Sequence, residues 1–178
     1  MEDITEWRSR IAKMLAEDIG GEGAAQELGK ERVEAEALVE VLAFRLGNEN
    51  FGFDIRSVAE ILRPRPITSL PRCPEFIMGV VSMRGMILPV ADTAARLGIG
   101  RFGGQKNHRV IVVSDGEERM GFMVDSVVGV LRFSRNELEN TQYAASVDPS
   151  FLVGIGYDAK RQLVALLSTE KLCDFSLD

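Results

Sequence analysis

Between Phe76 and Asp92 the chain reads F-I-M-G-V-V-S-M-R-G-M-I-L-P-V-A-D. Two apolar, strand-like runs meet at a single charged corner, Arg84-Gly85, so the segment folds most simply as two strands joined by a tight turn. A guanidinium flanked on both sides by apolar residues cannot be left unpaired in a core. Arg84 must either face a polar partner at a strand end or be held by a buried one, and its setting is therefore a clue to function.

The same texture runs through most of the chain. Leu38 to Leu46 alternates like a strand, Gly47-Asn48-Glu49-Asn50 supplies a polar turn, and Phe51 to Ile55 resumes, which predicts a hairpin. Asp54 to Leu62 places Ile55, Val58, Ile61 and Leu62 at helical spacing, but Pro64-Arg65-Pro66 limits any helix there to one or two turns. After the Pro71 to Pro74 loop and the two runs around Arg84, Asp92 to Gly98 predicts a short helix capped by Asp92 and stopped by Gly98. Beyond a glycine-rich loop, Gly100 to Asn107, come strands over Arg109–Val113, Met120–Asp125 and Val127–Phe133, with a turn at Asp115-Gly116. Tyr143 to Pro149 reads as a loop, Phe151–Tyr157 and Leu163–Leu167 as a hairpin around Asp158 to Arg161, and Thr169–Cys173 as the start of a terminal helix. Many short strands with glycine-rich turns predict a mainly β fold, a barrel or sandwich of antiparallel sheet rather than alternating βαβ units.

Residues 1–36 differ from this pattern. Ile4, Trp7, Ile11, Met14 and Leu15 recur at three- and four-residue steps, Asp3 and Glu6 suit a capping box, and Gly20-Gly21 is a natural stop, so an amphipathic helix is expected. Glu22 to Glu36 is rich in Ala and Glu with few large apolar anchors. The 178 residues thus divide into an N-terminal helix and linker, 1–36, and one domain, 37–178. A net charge of −6 argues against a phosphate backbone as partner. Apolar runs fall short of the roughly 20 residues a membrane helix needs. Glu2 and Asp3 stand where a secretory signal is basic, so a cytoplasmic location is expected, with Cys73 and Cys173 as free thiols.

Catalysis needs a base, a nucleophile or a metal set. The single histidine, His108, stands beside Asn107 and Arg109 at the edge of an expected strand, where a solvated role is the ordinary one. One His and two distant Cys give no zinc spacing. Asp54, Glu60, Asp92, Asp125 and Glu137 are the carboxylates available for an acid–base pair, but they are better explained as caps, turns and solvated charges. Gly98-x-Gly100-x-x-Gly103 has dinucleotide-fingerprint spacing, yet it follows a helix instead of opening one after a strand, and reads as a loop. The expectation is a binding or scaffold protein with no catalytic residue, no cofactor and no metal.

Four segments, in order, carry a family likeness: Phe44 to Leu62, with F-G-F-D-I-x-x-V-x-E-I-L; Pro71 to Asp92, with P-E-F-I-x-G-V-V-x-x-R-G-x-I-L-P-V-x-D; Gly121 to Leu131, with G-F-M-V-D-x-V-x-G-V-L; and Phe151 to Gly156, F-L-V-G-I-G. Over about Leu38 to Cys173 the chain resembles the CheW family of bacterial chemotaxis coupling proteins. The resemblance implies two SH3-like five-stranded β-barrel subdomains packed around a shared hydrophobic core. It also implies a non-catalytic adaptor that bridges the cytoplasmic tip of a chemoreceptor to the regulatory domain of a CheA-type histidine kinase, recruited to membrane-associated receptor arrays.

Carried onto this sequence, the family pattern points to Val58, Glu60, Gly79 and Arg84 as receptor-coupling positions, with Ile55, Val58, Val80 and Val130 forming an apolar groove rimmed by charge for a helical receptor tip. A second reading of Arg84 is structural, a side chain bonding carbonyls where the two barrels meet. The chain has Ser82-Met83-Arg84-Gly85 where many relatives read N-L-R-G, and Asp92-Thr93-Ala94 where many read D-L-R. The alternatives to a chemotaxis adaptor are a CheW-like scaffold of a pathway controlling surface motility or gene expression, and a stand-alone ligand-binding β-barrel. Trp7 and its apolar face are open to docking on the domain, binding a partner, self-association or a mobile tail.

Overall fold

A computed structural model of the chain describes residues 38–116, 118–139 and 147–174. The helix expected within residues 1–36 and most of the loop expected over Tyr143–Pro149 lie outside them. The described elements are β1 (Leu38–Leu46), β2 (Glu49–Asp54), β3 (Val58–Leu62), β4 (Ile77–Met83), β5 (Met86–Asp92), α1 (Thr93–Arg96), β6 (Arg109–Asp115), β7 (Glu118–Val124), β8 (Ser126–Ser134), β9 (Leu152–Tyr157), β10 (Leu163–Leu167) and α2 (Thr169–Cys173). The strands form two five-stranded sheets, in the orders β8-β1-β2-β10-β9 and β3-β6-β7-β5-β4. The fold is mainly β, as the strand pattern predicts.

The two sheets are built alike. Each contains an antiparallel hairpin, β1β2 or β6β7, whose second strand lies parallel to a strand from the other sequence repeat, β10 or β5. The strand that follows each hairpin leaves for the other sheet: β3 joins β6, and β8 lies beside β1. A single two-bond bridge then links the chain beyond each exchanged strand to the opposite sheet edge, Thr68 with Val80 of β4 and Glu139 with Ile155 of β9. The repeat is visible in the residues themselves. G-F-D-I-R-S-V (52–58) matches G-F-M-V-D-S-V (121–127), and P-E-F-I-M-G-V (74–80) matches P-S-F-L-V-G-I (149–155).

Because both faces of the central strands are covered, their apolar runs are continuous, and alternate side chains enter different cores. Ile111 and Val113 of β6, with Phe122 and Val124 of β7, meet Leu42, Phe44, Phe51 and Phe53 in one shared cluster between the sheets. Val110, Val112 and Met123 turn the other way, onto Leu62, Val81, Leu88 and Val90. On the first sheet Val41, Val164 and Leu166 close over Phe133. A shared core flanked by two smaller ones is the packing that the family resemblance implies.

Within Asp54 to Leu62, where one or two helical turns at most are expected, a single 3-10 turn, Ile55–Ser57, is followed by β3. The Asp54 side chain accepts the Arg56 N–H at 2.9 Å, and Ser57 Oγ donates to the Asp54 carbonyl at 2.8 Å, which closes the turn within three residues. Burial along β3 still alternates, but the polar Glu60 stands on its inward side and Ile61, 43% exposed, on its outward side, so the apolar residues take a helical spacing. The last residues of the expected Tyr143–Pro149 loop lead into a 3-10 turn, Pro149–Phe151, capped by Asp148.

Candidate functional site

The corner predicted from Phe76–Asp92 is a two-residue hairpin loop. Met83 and Met86 pair directly, and the residues between them, Arg84 and Gly85, take φ of 50° and 80°. Positive φ at both positions is the type I′ turn, whose backbone twist matches that of paired strands. Asn, Asp or Gly occupies the first of these positions with little strain, whereas a long side chain there costs on the order of 1 kcal/mol. The strain sets Arg84 at the tip, its side chain 78% exposed, with Nη2 3.6 Å from Glu60 Oε1. Arg84 therefore faces a polar partner at a strand end, the first of the two settings its sequence context allows.

Glu60 lies on β3 and Arg84 beside β4, the two opposite edges of the second sheet. The pair spans the gap between those edges, as the Thr68–Val80 bridge does further along. Gly79 is adjacent to that bridge, with φ of 141°, and a Cβ built there would lie 2.2 Å from the Thr68 carbonyl oxygen. Val80, half-buried, exchanges both backbone bonds with Thr68 at 2.8 and 2.9 Å.

Ile55 and Val58, at the foot of β3, are half-buried against the shared core, as is Val127 at the foot of β8. Below them the Arg56 guanidinium bonds both Asp54 oxygens and, with the Arg56 N–H, holds the Asp54 carboxyl below the usual carboxylate range. Val130 belongs to the other sheet. It is 52% exposed on β8 and lines an open groove of about 520 Å³ with Leu131, Arg132, Phe133, Tyr157, Asp158 and Ala159. The structure thus joins Glu60 to Arg84, places Gly79 and Val80 on the same hairpin, and sets Val130 apart on the other half.

Carbonyl bonding where the halves meet belongs to a different arginine. From the end of α1, Arg96 donates to the carbonyls of Leu172, Lys171 and Asp174 at 3.2, 3.0 and 2.8 Å, with its guanidinium over the rings of Phe76 and Phe151. Partial burial pulls its pKa down, mainly by desolvation.

A family model described as a CheW-like domain matches residues 40–176. The chain belongs to the CheW family. It is 34% identical over 134 residues to the chemotaxis protein CheW of Klebsiella aerogenes, covering 75% of this chain and 80% of that protein. It is 31% identical over 134 residues to the protein FrzA of Myxococcus xanthus, covering 75% and 84%. A crystal structure of the scaffolding protein CheW from Thermoanaerobacter tengcongensis superposes with a TM-score of 0.71 at 31% identity, covering 78% of this chain and 89% of that one.

The departures from the common CheW pattern have local explanations. Met83 turns inward to the second sheet's own core and Ser82 faces solvent, so one change is buried and apolar and the other exposed and polar. Thr93 is buried, and its Oγ1 donates to the Met123 carbonyl at 2.6 Å, which a leucine could not do. Sequence reasoning missed Ile87, 73% exposed beside the Arg84 corner, together with exposed Met86, Val128 and Tyr157. Outward positions of a strand hidden within an apolar run carry no separate signal. Arg96 had one: in the register of the internal repeat it stands where the other half carries Leu172.

Proposed function

We propose that this chain is a non-catalytic adaptor that couples the signalling tip of a chemoreceptor to the regulatory domain of a CheA-type histidine kinase, with residues 37–178 as the working domain. The match to the CheW family over residues 40–176, with a relative described as a scaffolding protein, supports an adaptor. The observation that carries the receptor side is Arg84. A strained, exposed arginine at a hairpin tip, where a smaller residue would be more stable, is not explained by the fold and fits a recognition role. Glu60 beside it gives the rim both signs of charge, which fixes register on a helical partner. Ile55, Val58 and Val80 are proposed as the apolar part of the same recognition, with Gly79 shaping the strand edge beside them, while Val130 lies on the other sheet and is proposed as a separate contact.

The protein is proposed to work in the cytoplasm, recruited to membrane-associated receptor arrays. Among the described residues no helix is long and apolar enough to cross a membrane. The test is reconstitution of kinase autophosphorylation with receptor cytoplasmic fragments. Adding this protein should make kinase activity depend on the receptor fragment; activity indifferent to the protein would overturn the reading.

A further inference from the structure

The two halves repeat one another closely enough to assign equivalent residues. Phe76 and Phe151 occupy the same place in P-x-F-[I/L]-x-G-[V/I], and each gives its carbonyl, at 2.8 Å, to the N–H of the residue that caps its own helix, Asp92 or Ser168. Asp92 and Ser168 each accept an N–H three residues on, from Ala95 and Lys171. By that register Arg96 of α1 is equivalent to Leu172 of α2. The repeat is broken there: Leu172 is fully buried in the shared core, and Arg96 is a cation.

That cation lies 4.8 Å from the centroid of one equivalent ring and 4.9 Å from the other. One ring begins the β4 half and the other the β9 half. Its N–H groups run to three carbonyls at the end of α2, groups that no further helical turn satisfies. A planar guanidinium can stack flat between two rings while a fixed fork of donors reaches several acceptors, whereas a lysine ammonium carries three donors but has no plane to stack.

We propose that Arg96 is a positioning residue that fixes the angle between the two five-stranded sheets. The Arg84–Glu60 corner belongs to one sheet and the Val130–Tyr157 groove to the other, so this angle sets how anything held at one lies relative to anything held at the other. The consequence for signalling rests on the adaptor reading above; the consequence for the angle does not.

Residual dipolar couplings on the full chain read the angle directly. In the unmodified protein one alignment tensor fits both sheets. In Arg96→Ala each sheet should still fit its own internal geometry, but the two should need different tensors, and Arg96→Lys should follow Arg96→Ala because charge alone does not restore the fork and the stack. A single tensor for both sheets in Arg96→Ala overturns the proposal. If Arg96→Ala does not fold, Phe151→Leu, which removes one ring and keeps an apolar side chain, is judged by the same criterion. In a second arm, Arg96→Ala should bind kinase regulatory domain and receptor fragment singly as the unmodified protein does, yet take up the second partner about fivefold more weakly once the first is bound. Unchanged uptake overturns the link to signalling. An unmodified protein that binds neither partner overturns the adaptor reading instead, and the tensors still decide the angle.

Discussion

Arg84 and Glu60 face each other across the two edges of the second sheet, Nη2 to Oε1 3.6 Å, from a hairpin tip and an edge strand that are not neighbours in the sheet. Both side chains reach solvent, so the pair itself contributes no more than about 1 kcal/mol to stability. On the proposed adaptor reading, what it offers a partner is two opposite charges side by side on a rim.

Replacing Arg84 by Asn separates recognition from stability. Asn tolerates positive φ, so the turn relaxes and the melting temperature should hold or rise by a few degrees, while receptor binding falls. Arg84→Ala should stay folded and lose the same binding. Thermal melts beside a receptor-fragment titration decide the matter: a large drop in melting temperature for Arg84→Asn would make the residue structural.

Gly79 is the opposite case. A methyl group there meets the Thr68 carbonyl oxygen at 2.2 Å and the backbone must also hold φ of 141°, so Gly79→Ala should cost about 2 to 4 kcal/mol and break the Thr68–Val80 bridge. Urea denaturation gives the number, and amide exchange at Val80 shows whether the bridge has opened. A binding defect in this variant then reports a damaged sheet edge and not a lost contact.

The shared core ties the halves into one cooperative unit. Phe53 of β2 and Phe122 of β7 lie 5.7 Å apart, centroid to centroid, with Phe44 4.7 Å from Phe53. Phe122→Ala should destabilise by about 3 to 5 kcal/mol. Both sheets should lose protection in hydrogen exchange together, because each lends strands to the shared core. Loss confined to the second sheet would show that the halves unfold independently.

Asp54 supplies a pH signature. Its carboxyl is held below the usual range, first by the Arg56 side chain, so the stabilisation is present above the unfolded-state pKa and disappears as pH falls through the folded one. The effect is small because both groups face water. Arg56→Ala should therefore melt slightly lower than the unmodified protein at neutral pH, and the difference should vanish under strongly acid conditions. Carbon-detected titration of Asp54 should show its pKa rising in the variant.

Much of this architecture can be read from residues alone where local chemistry is decisive. Arg84-Gly85 between two apolar runs leaves room for little besides a two-residue turn, and Asp92 before T-A-A-R with Gly98 beyond it specifies one short helix. The segment after Asp54 misleads because a capped 3-10 turn leads into a strand that carries Glu60 on its inward side and Ile61 on its outward side, which gives the apolar residues a helical spacing. The pairing of Glu60 with Arg84 is set by which strands become sheet edges, and strand order leaves no trace in local pattern. The exchange of β3 and β8 could have been suspected, since G-F-D-I-R-S-V and G-F-M-V-D-S-V announce a repeat. Once that repeat is aligned, Arg96 stands out as the position where one half carries a cation and the other a leucine.

An adaptor of the proposed kind holds two partners at once. The direct measurement immobilises the kinase regulatory domain, flows this protein over it, and then adds the receptor cytoplasmic fragment. The receptor fragment should be captured only after the protein has bound, and capture should be lost with Arg84→Asn. Capture of the receptor fragment without the protein, or displacement of the protein by the fragment, would contradict it.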